Sequence, residues 1–341
     1  MIRALLVHRA GAGMTIQDLG RPGYLSFGLS RGGAADRLAV SEGAALLKQD
    51  EKLAVLEMAS TGGEFEATHD LRISLTGAAS RASIDGARLA WNASHRLPAG
   101  ARLSIGGKNT GSYGYLHLGG GIQSSKILNA RSAHLTAGIG TLVQTGDQLP
   151  VGPDSNTETG LKLHTLPRHD GGTIRLVPSL QTDVFSASEI ARFEATEFRR
   201  DNHANRMGMR IILEGRGFNT AVGLKILSEV IIPGDIQITG DGTPFVLLSE
   251  CQTTGGYPRI GSVLPADLPL VVQASSEAVL RFKFISLREA LKVEKQEAKR
   301  RRAFNENISP LIRQPHSVAN LLAYQLISGA TAGDDLERDD R

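Results

Sequence analysis

Short apolar runs that alternate residue by residue, each cut off by glycine, proline, asparagine or aspartate, constrain this chain more than any other feature. Leu71-Arg72-Ile73-Ser74-Leu75 alternates strictly, as does Arg102-Leu103-Ser104-Ile105, and the stretches 226–232, 245–248 and 279–285 are of the same kind. Successive side chains of a strand point to opposite faces, so a period of two bounded by turn residues marks strands. Glycine supplies 39 of the 341 residues, which matches frequent turns, and the strands do not alternate with helices as βαβ units would require. The expected fold is mainly β, built from barrels or sandwiches with a few helices.

Four segments read as helices. Residues 34–48 are rich in Ala and Leu and follow the Gly32-Gly33 turn. Ser186 and Glu189 have capping-box spacing, in which each side chain satisfies an orphan backbone amide, and predict a helix to about Ala195. Ser286 and Glu289 repeat the signature and open a charged helix towards Phe304; a last helix is expected over 316–327. The polar stretch 151–172 lacks periodicity, and beyond Leu287 the composition turns helical and charged. These shifts divide the chain into 1–168, 169–287 and a C-terminal helical extension, 288–341. One internal echo points to related halves: Glu57, Thr61, Gly62 and Gly63 have the spacing of Glu250, Thr254, Gly255 and Gly256.

The bulk properties exclude several function classes. With 38 basic and 35 acidic residues the net charge is +3, which gives no basis for a nucleic acid or an anionic membrane as partner. Cys251 is the single cysteine, so an intramolecular disulfide and a cysteine-built zinc site are both out of reach. No apolar stretch approaches the roughly 18 residues of a membrane span, the N-terminus lacks a secretory pattern, and the expected location is the cytoplasm.

Several motifs touch on chemistry. Gly28-Leu29-Ser30-Arg31-Gly32 fits the form of a nucleophile elbow, but that device needs a parallel α/β sheet around it, and a glycine-rich turn into a helix is the better reading. Gly106-Gly107-Lys108-Asn109 resembles a phosphate loop, yet Arg102 stands where its first glycine belongs and Asn109 where the magnesium hydroxyl belongs. The nine histidines show no metal-ligand spacing, and His117, in an apolar run, reads as structural; no metal is expected. Gly119-Gly120-Gly121 follows a strand-like run and offers backbone N–H groups to an anion, or else is a flexible turn. Lys299-Arg300-Arg301-Arg302 reads as a solvated helix face. Gln252-Thr253-Thr254-Gly255-Gly256-Tyr257 joins an amide, two hydroxyls, two glycines and an aromatic ring after an apolar strand. Such a set can grip a planar amide and polarise its carbonyl.

The string from Gln252 to Ile260, with Ala266-Asp267-Leu268 and Gln273 after it, resembles the signature of the biotin-dependent carboxyltransferase family, which includes the C-type subunit of 5-oxoprolinase, the Kip-inhibitor antagonist and a segment of urea carboxylase. Thr15 to Tyr24, Gly33-Ala34-Ala35-Asp36, Leu56-Glu57, Tyr115 to Ile122, Arg131-Ser132 and Arg206-Met207-Gly208 extend the likeness over about residues 5 to 287. The resemblance implies two cyclophilin-like β-barrel domains. It also implies an ATP-dependent complex with a Kip-inhibitor-like B-type subunit and a barrel-fold A-type subunit, opening a cyclic amide, 5-oxoproline, to glutamate. ATP would then be bound by or shared with the partner subunits. Other activities within the resemblance are carboxyl transfer to a urea-like acceptor, with biotin carried by another protein, and antagonism of a kinase inhibitor. On the matching positions, Gln252, Thr253 and Thr254 are expected to hold the substrate amide, with Gly255 and Gly256 as backbone donors. Asp18, Arg21, Arg206, Tyr257, Gly119 and Gly120 are expected to position substrate.

Overall fold

A computed structural model describes residues 3–59, 61–201, 204–220 and 226–312; the helix expected over 316–327 lies outside them. In the first half two sheets face each other. One runs in the order Gln148–Pro150, Ala4–Arg9, Glu64–Ala67, Arg102–Lys108, Ser80–Ile84 and Ala87–Arg88. The other runs Thr15–Gln17, Val55–Met58, Gly114–Leu118, Leu71–Gly77, Ala93–Leu97, Leu161–Leu163 and Ile308–Pro310. The alternation explains the packing: Leu71, Ile73 and Leu75 point inward to a cluster with Leu5, Phe65 and Leu103.

The second half closes into a barrel of seven strands: Gly171–Val177, Arg259–Val263, Asp235–Ile238, Pro244–Leu247, Gly208–Leu213, Phe198–Arg200 and Val279–Phe284. The first and last strands close it in parallel, while the other pairs are antiparallel. Phe193 lies 5.0 to 5.4 Å, ring to ring, from Phe198, Phe218 and Phe282, in the tilted and edge-on contacts that aromatic quadrupoles favour. The mainly β architecture read from the alternation is what the chain adopts.

Helix α1 (Arg37–Leu46) begins after Gly32 and Gly33, whose φ angles of 61° and 82° turn the chain into it, and Asp36 caps it by accepting from the Ala39 N–H at 3.0 Å. It lies on the outer face of the second sheet, where Ser74 and Thr76 donate to the carbonyls of Gly43 and Ala39. Gly43 permits the contact, since a Cβ there would sit 2.1 Å from Nε2 of His117. His117 is fully buried against Thr76 Oγ1 at 2.8 Å, and burial pushes its pKa down to about 3. It is a neutral structural residue.

Helices α2 (Ala187–Ala195), α3 (Leu268–Gln273) and α4 (Leu287–Arg302) follow. Ser286 and Glu289 form the full reciprocal capping box at α4. At α2 only half of it is present: Ser186 accepts from Glu189 N–H, while the Glu189 carboxylate turns to Arg192 and Arg216. After α4, Ile308–Pro310 pairs with Leu161–Leu163, so the chain's later part is tied back to the first half. No helix among the described residues is long and apolar enough to cross a membrane.

The two halves share an interior. Ala34, Val40, Tyr113 and Tyr115 of the first pack into one cluster with Ile174, Leu248 and Val272 of the second. Polar clamps fix the docking. Gln273 on α3 accepts from the Ser112 and Tyr113 N–H groups and donates to Asp36 Oδ2 at 2.9 Å. Arg168, at the expected boundary, pairs with Glu42 through two bonds of 2.5 and 2.8 Å and with Asp36 at 3.2 Å.

Candidate functional site

A cleft of about 400 Å³ opens where the halves meet, lined by residues 28–30 and by His134, Thr136 and Ala137 of the first half, and by residues 251–254 of the second. Gln252 and Thr254 are exposed in it and Thr253 is partly buried. The three side chains singled out in the sequence therefore share one wall, beside two residues to which the sequence assigned no role.

Those residues are Ser30 and His134. Ser30 is buried, and its Oγ lies 2.8 Å from His134 Nε2. His134 caps a short turn, its Nδ1 accepting from the Ala137 N–H at 3.3 Å. In the neutral ring the proton then resides on Nε2 and is donated to Ser30, which leaves the serine hydroxyl hydrogen free to point into the cleft. Burial lowers the pKa of His134, against the attraction of Glu250, so the ring is neutral at pH 7. This geometry does not make the serine a nucleophile: the nitrogen facing it already holds a proton. The chain around Ser30 also lacks the strand–turn–helix of a nucleophile elbow, as expected.

Behind His134 stands Glu250, whose Oε2 lies 3.9 Å from Nδ1 and accepts from both the N–H and the hydroxyl of Thr136 at 3.2 Å. Its Oε1 accepts from Arg206 Nε at 2.5 Å. Burial alone would raise this carboxyl's pKa; the Arg206 guanidinium outweighs it, and the group titrates below the ordinary glutamate range. Arg206 also binds Glu57 of the first half and the Gly33 carbonyl. Glu57 in turn accepts from Ala35 N–H and Tyr115 OH, both at 2.8 Å. The internal echo thus has a spatial counterpart, because its two glutamates converge on one arginine.

The remaining expected residues lie as follows. Arg206 is committed to two carboxylates and a carbonyl, behind the cleft wall and not in its lining. Asp18 accepts from the Gly20 and Arg131 N–H groups at 2.8 and 2.6 Å. Arg21, almost fully buried, donates to the Ser132 carbonyl at 2.5 Å and keeps one nitrogen, Nη1, without a hydrogen-bond partner. Asp18 and Arg21 together hold the 131–132 segment that leads into His134. Gly255 pairs with Glu229 in a two-stranded ladder next to the cleft; a Cβ on it would lie 2.5 Å from Gln237 Nε2. Gly256 accepts from the Ile226 N–H, and Tyr257 is exposed beyond it. Gly119 and Gly120 are not brought to the cleft. A Cβ on Gly119 would lie 2.0 Å from Asp154, and the Gly120 N–H is bonded to Gln49, so both serve the close approach of residues 152–154.

The residues considered as a phosphate loop do not fit ATP. Gly106-Gly107-Lys108 lies in or at the end of a strand, and the Lys108 ammonium, its pKa pushed down to about 8 by burial, is bonded to the Ser112 carbonyl. Among the described residues no group of three or more His, Cys, Asp or Glu side chains is placed to hold a metal ion.

Residues 27–284 match the family described as carboxyltransferase domain, subdomain A and B. The chain is 32% identical over 286 residues to the C-type subunit of 5-oxoprolinase from Haemophilus influenzae, across 83% of this chain and 91% of that one. It is 33% identical over 297 residues to the protein of the same name from Escherichia coli, across 84% of this chain and 93% of the other. Among solved structures, the urea carboxylase of Kluyveromyces lactis superposes with a TM-score of 0.79 at 23% identity, over 92% of this chain and 31% of the larger protein, a likeness of fold.

Proposed function

Because this chain belongs to the carboxyltransferase domain family, subdomains A and B, we propose that it is the component of an ATP-dependent 5-oxoprolinase-type complex that binds the cyclic amide. The observation that supports this most directly is the cleft, in which Ser30, Thr253, Thr254 and the Gln252 amide offer hydroxyl and amide donors to one small volume. Opening a lactam builds negative charge on the carbonyl oxygen, and a preorganised donor aimed at that oxygen contributes about 3 kcal/mol. His134, by donating to Ser30 Oγ, directs the serine hydrogen toward the substrate, and the Glu57–Arg206–Glu250 clamp keeps the two walls of the cleft in register. Water activation and phosphoryl chemistry are left to partners of the A and B types, since the candidate phosphate loop here is spent on structure. Gly255 continues the Thr254 strand, and the Gly256 carbonyl, by accepting from the Ile226 N–H, ties down the chain that follows it.

The test is co-expression with those partners, co-purification, and measurement of ATP hydrolysis dependent on 5-oxoproline. The expected result is a stable complex whose oxoproline-dependent turnover falls steeply in Ser30→Ala and Thr254→Val. Full turnover by a complex bearing both substitutions would remove the cleft from the reaction. Carboxylation of urea by a biotin-bearing partner, without oxoproline turnover, would replace the reading by carboxyl transfer.

A further inference from the structure

A second cavity, of about 370 Å³, lies on another side of the junction between the halves, under α4. Its walls are apolar, from Ala34, Leu248, Pro269 and Val272, and three arginines line it: Arg31 from the loop before the Gly32-Gly33 turn, Arg37 from the start of α1, and Arg301 from α4. The one carboxylate in the lining, Glu297, is already engaged by Arg300 and Arg301. Arg37 has a single side-chain hydrogen bond among the described residues, to the Gly32 carbonyl at 3.1 Å. Its pKa is pushed down to about 10, first by burial and then by the like charges of Arg31, Arg301 and Arg206. A cation taken out of water among other cations is unfavourable unless an anion joins it.

An independent observation marks the same place. Ser249 lines the cavity, is 8% exposed, and its Oγ has no hydrogen-bond partner. Buried hydroxyls are ordinarily satisfied, so a vacant donor beside the Arg37 guanidinium, which has no carboxylate partner among the described residues, points to a ligand that accepts hydrogen bonds. Nε of Arg301, 3.4 Å from Glu297, is likewise buried without a hydrogen bond.

We propose that this cavity is a binding site for a small organic oxyanion, a carboxylate or phosphate on a compact apolar body, held by Arg37, Arg301 and Ser249. The planar guanidinium fork suits both head groups, and the apolar wall excludes a fully hydrated inorganic ion as the best ligand. The site is separate from the cleft at Ser30 and does not depend on the oxoproline reading.

Calorimetric titration of the full-length chain with phenyl phosphate, benzoate and inorganic phosphate tests it. At least one aromatic probe is expected to bind more tightly than inorganic phosphate, and the stronger of the two identifies the head group. Arg37→Met should weaken that binding about tenfold or more, and Ser249→Ala by less. Removing an uncompensated cation should leave the melting temperature of Arg37→Met in anion-free buffer no lower than that of the parent. If Arg37→Met instead fails to fold, Arg301→Met, near the C-terminal end of α4, replaces it in the titration. Absence of binding by both aromatic probes, or parental affinity in the arginine variants, overturns the proposal.

Discussion

Glu57 and Glu250 stand at equivalent places in two stretches of similar sequence, and both bind the guanidinium of Arg206. One carboxylate comes from the second sheet of the first half and the other from the turn after a barrel strand. Since Arg206 also takes the Gly33 carbonyl, a single residue joins the turn into α1, the strand Val55–Met58 of the first half and the turn behind the cleft wall. Two anions and one cation, all buried, are stable together only while the geometry is kept.

Replacing Arg206 by methionine leaves two buried carboxylates facing each other, and should cost about 3–5 kcal/mol of stability. Adding Glu57→Gln and Glu250→Gln to that variant should recover a large part of the loss, because the uncompensated charge is then gone. Chemical denaturation of the single and triple variants measures this. A triple variant no more stable than the single one would show that the clamp acts through shape and not through charge. It follows that loss of activity in an Arg206 variant is no evidence that Arg206 touches substrate.

Thr254 gives the cleaner probe of chemistry. Its side chain is exposed in the cleft and makes no hydrogen bond to another of the described residues, so Thr254→Val should change stability by less than about 0.5 kcal/mol. If its hydroxyl supports the substrate carbonyl, turnover by the reconstituted complex should fall about 100-fold. Steady-state assays beside a thermal melt separate the two outcomes. Unchanged turnover would leave the hydroxyl without a role.

Cys251 lines the same cleft yet is buried, and burial, with Asp235 adding to it, pushes its thiol up to about 12. Only the thiolate attacks alkylating reagents, and almost none exists at neutral pH. Native protein treated with iodoacetamide at pH 7.5 (about a unit below the ordinary thiol pKa) should therefore keep its mass, and should gain one adduct after unfolding in urea. Rapid native labelling, read by intact mass, would show that the cleft opens further than this structure does.

How far the sequence led can be followed on particular residues. Alternation over 71–75 gave a strand, and Ser74 would have been placed toward water by the same rule. It is buried because α1 covers that face, a long-range packing event that local period cannot express. The Ser286 and Glu289 pair marked the start of α4 correctly, since capping is local. The wall at 252–254 was legible for the same reason: its residues are neighbours in the chain. Ser30 and His134 are 104 positions apart, and neither has a motif that names the other. The echo between Glu57 and Glu250 was the one signal that reached across the halves, and it pointed at the buried clamp and not at the glycines. Asp18, Arg21 and Arg206 were expected at the substrate because charged residues in matched motifs suggest ligands. Their burial and their backbone partners show that such residues also brace loops.

His117 supplies a pH dependence whose sign is fixed by burial. Unfolded, a histidine titrates near 6.5; in the fold its pKa is about 3, because the ring lies fully buried beside Thr76 with no anion to offset protonation. Above about pH 6.5 the ring is neutral in both states and contributes no slope. As pH falls from there towards 3, the unfolded chain takes up a proton that the folded chain refuses, so stability drops by about 1.4 kcal/mol for each pH unit from this residue alone. Carboxylates with lowered pKa, Glu250 among them, add to the loss below about pH 4.5. His117→Gln keeps a partner for Thr76 but cannot titrate. Between pH 6.5 and 4.5, denaturant titrations should give a decline shallower by about 1.4 kcal/mol per pH unit in the variant than in the parent, the remaining slope coming from His95 and His134, whose pKa values burial also lowers. Equal slopes in the two proteins would mean that His117 reaches water or an anion when protonated, and that α1 does not seal it as the Gly43 contact indicates.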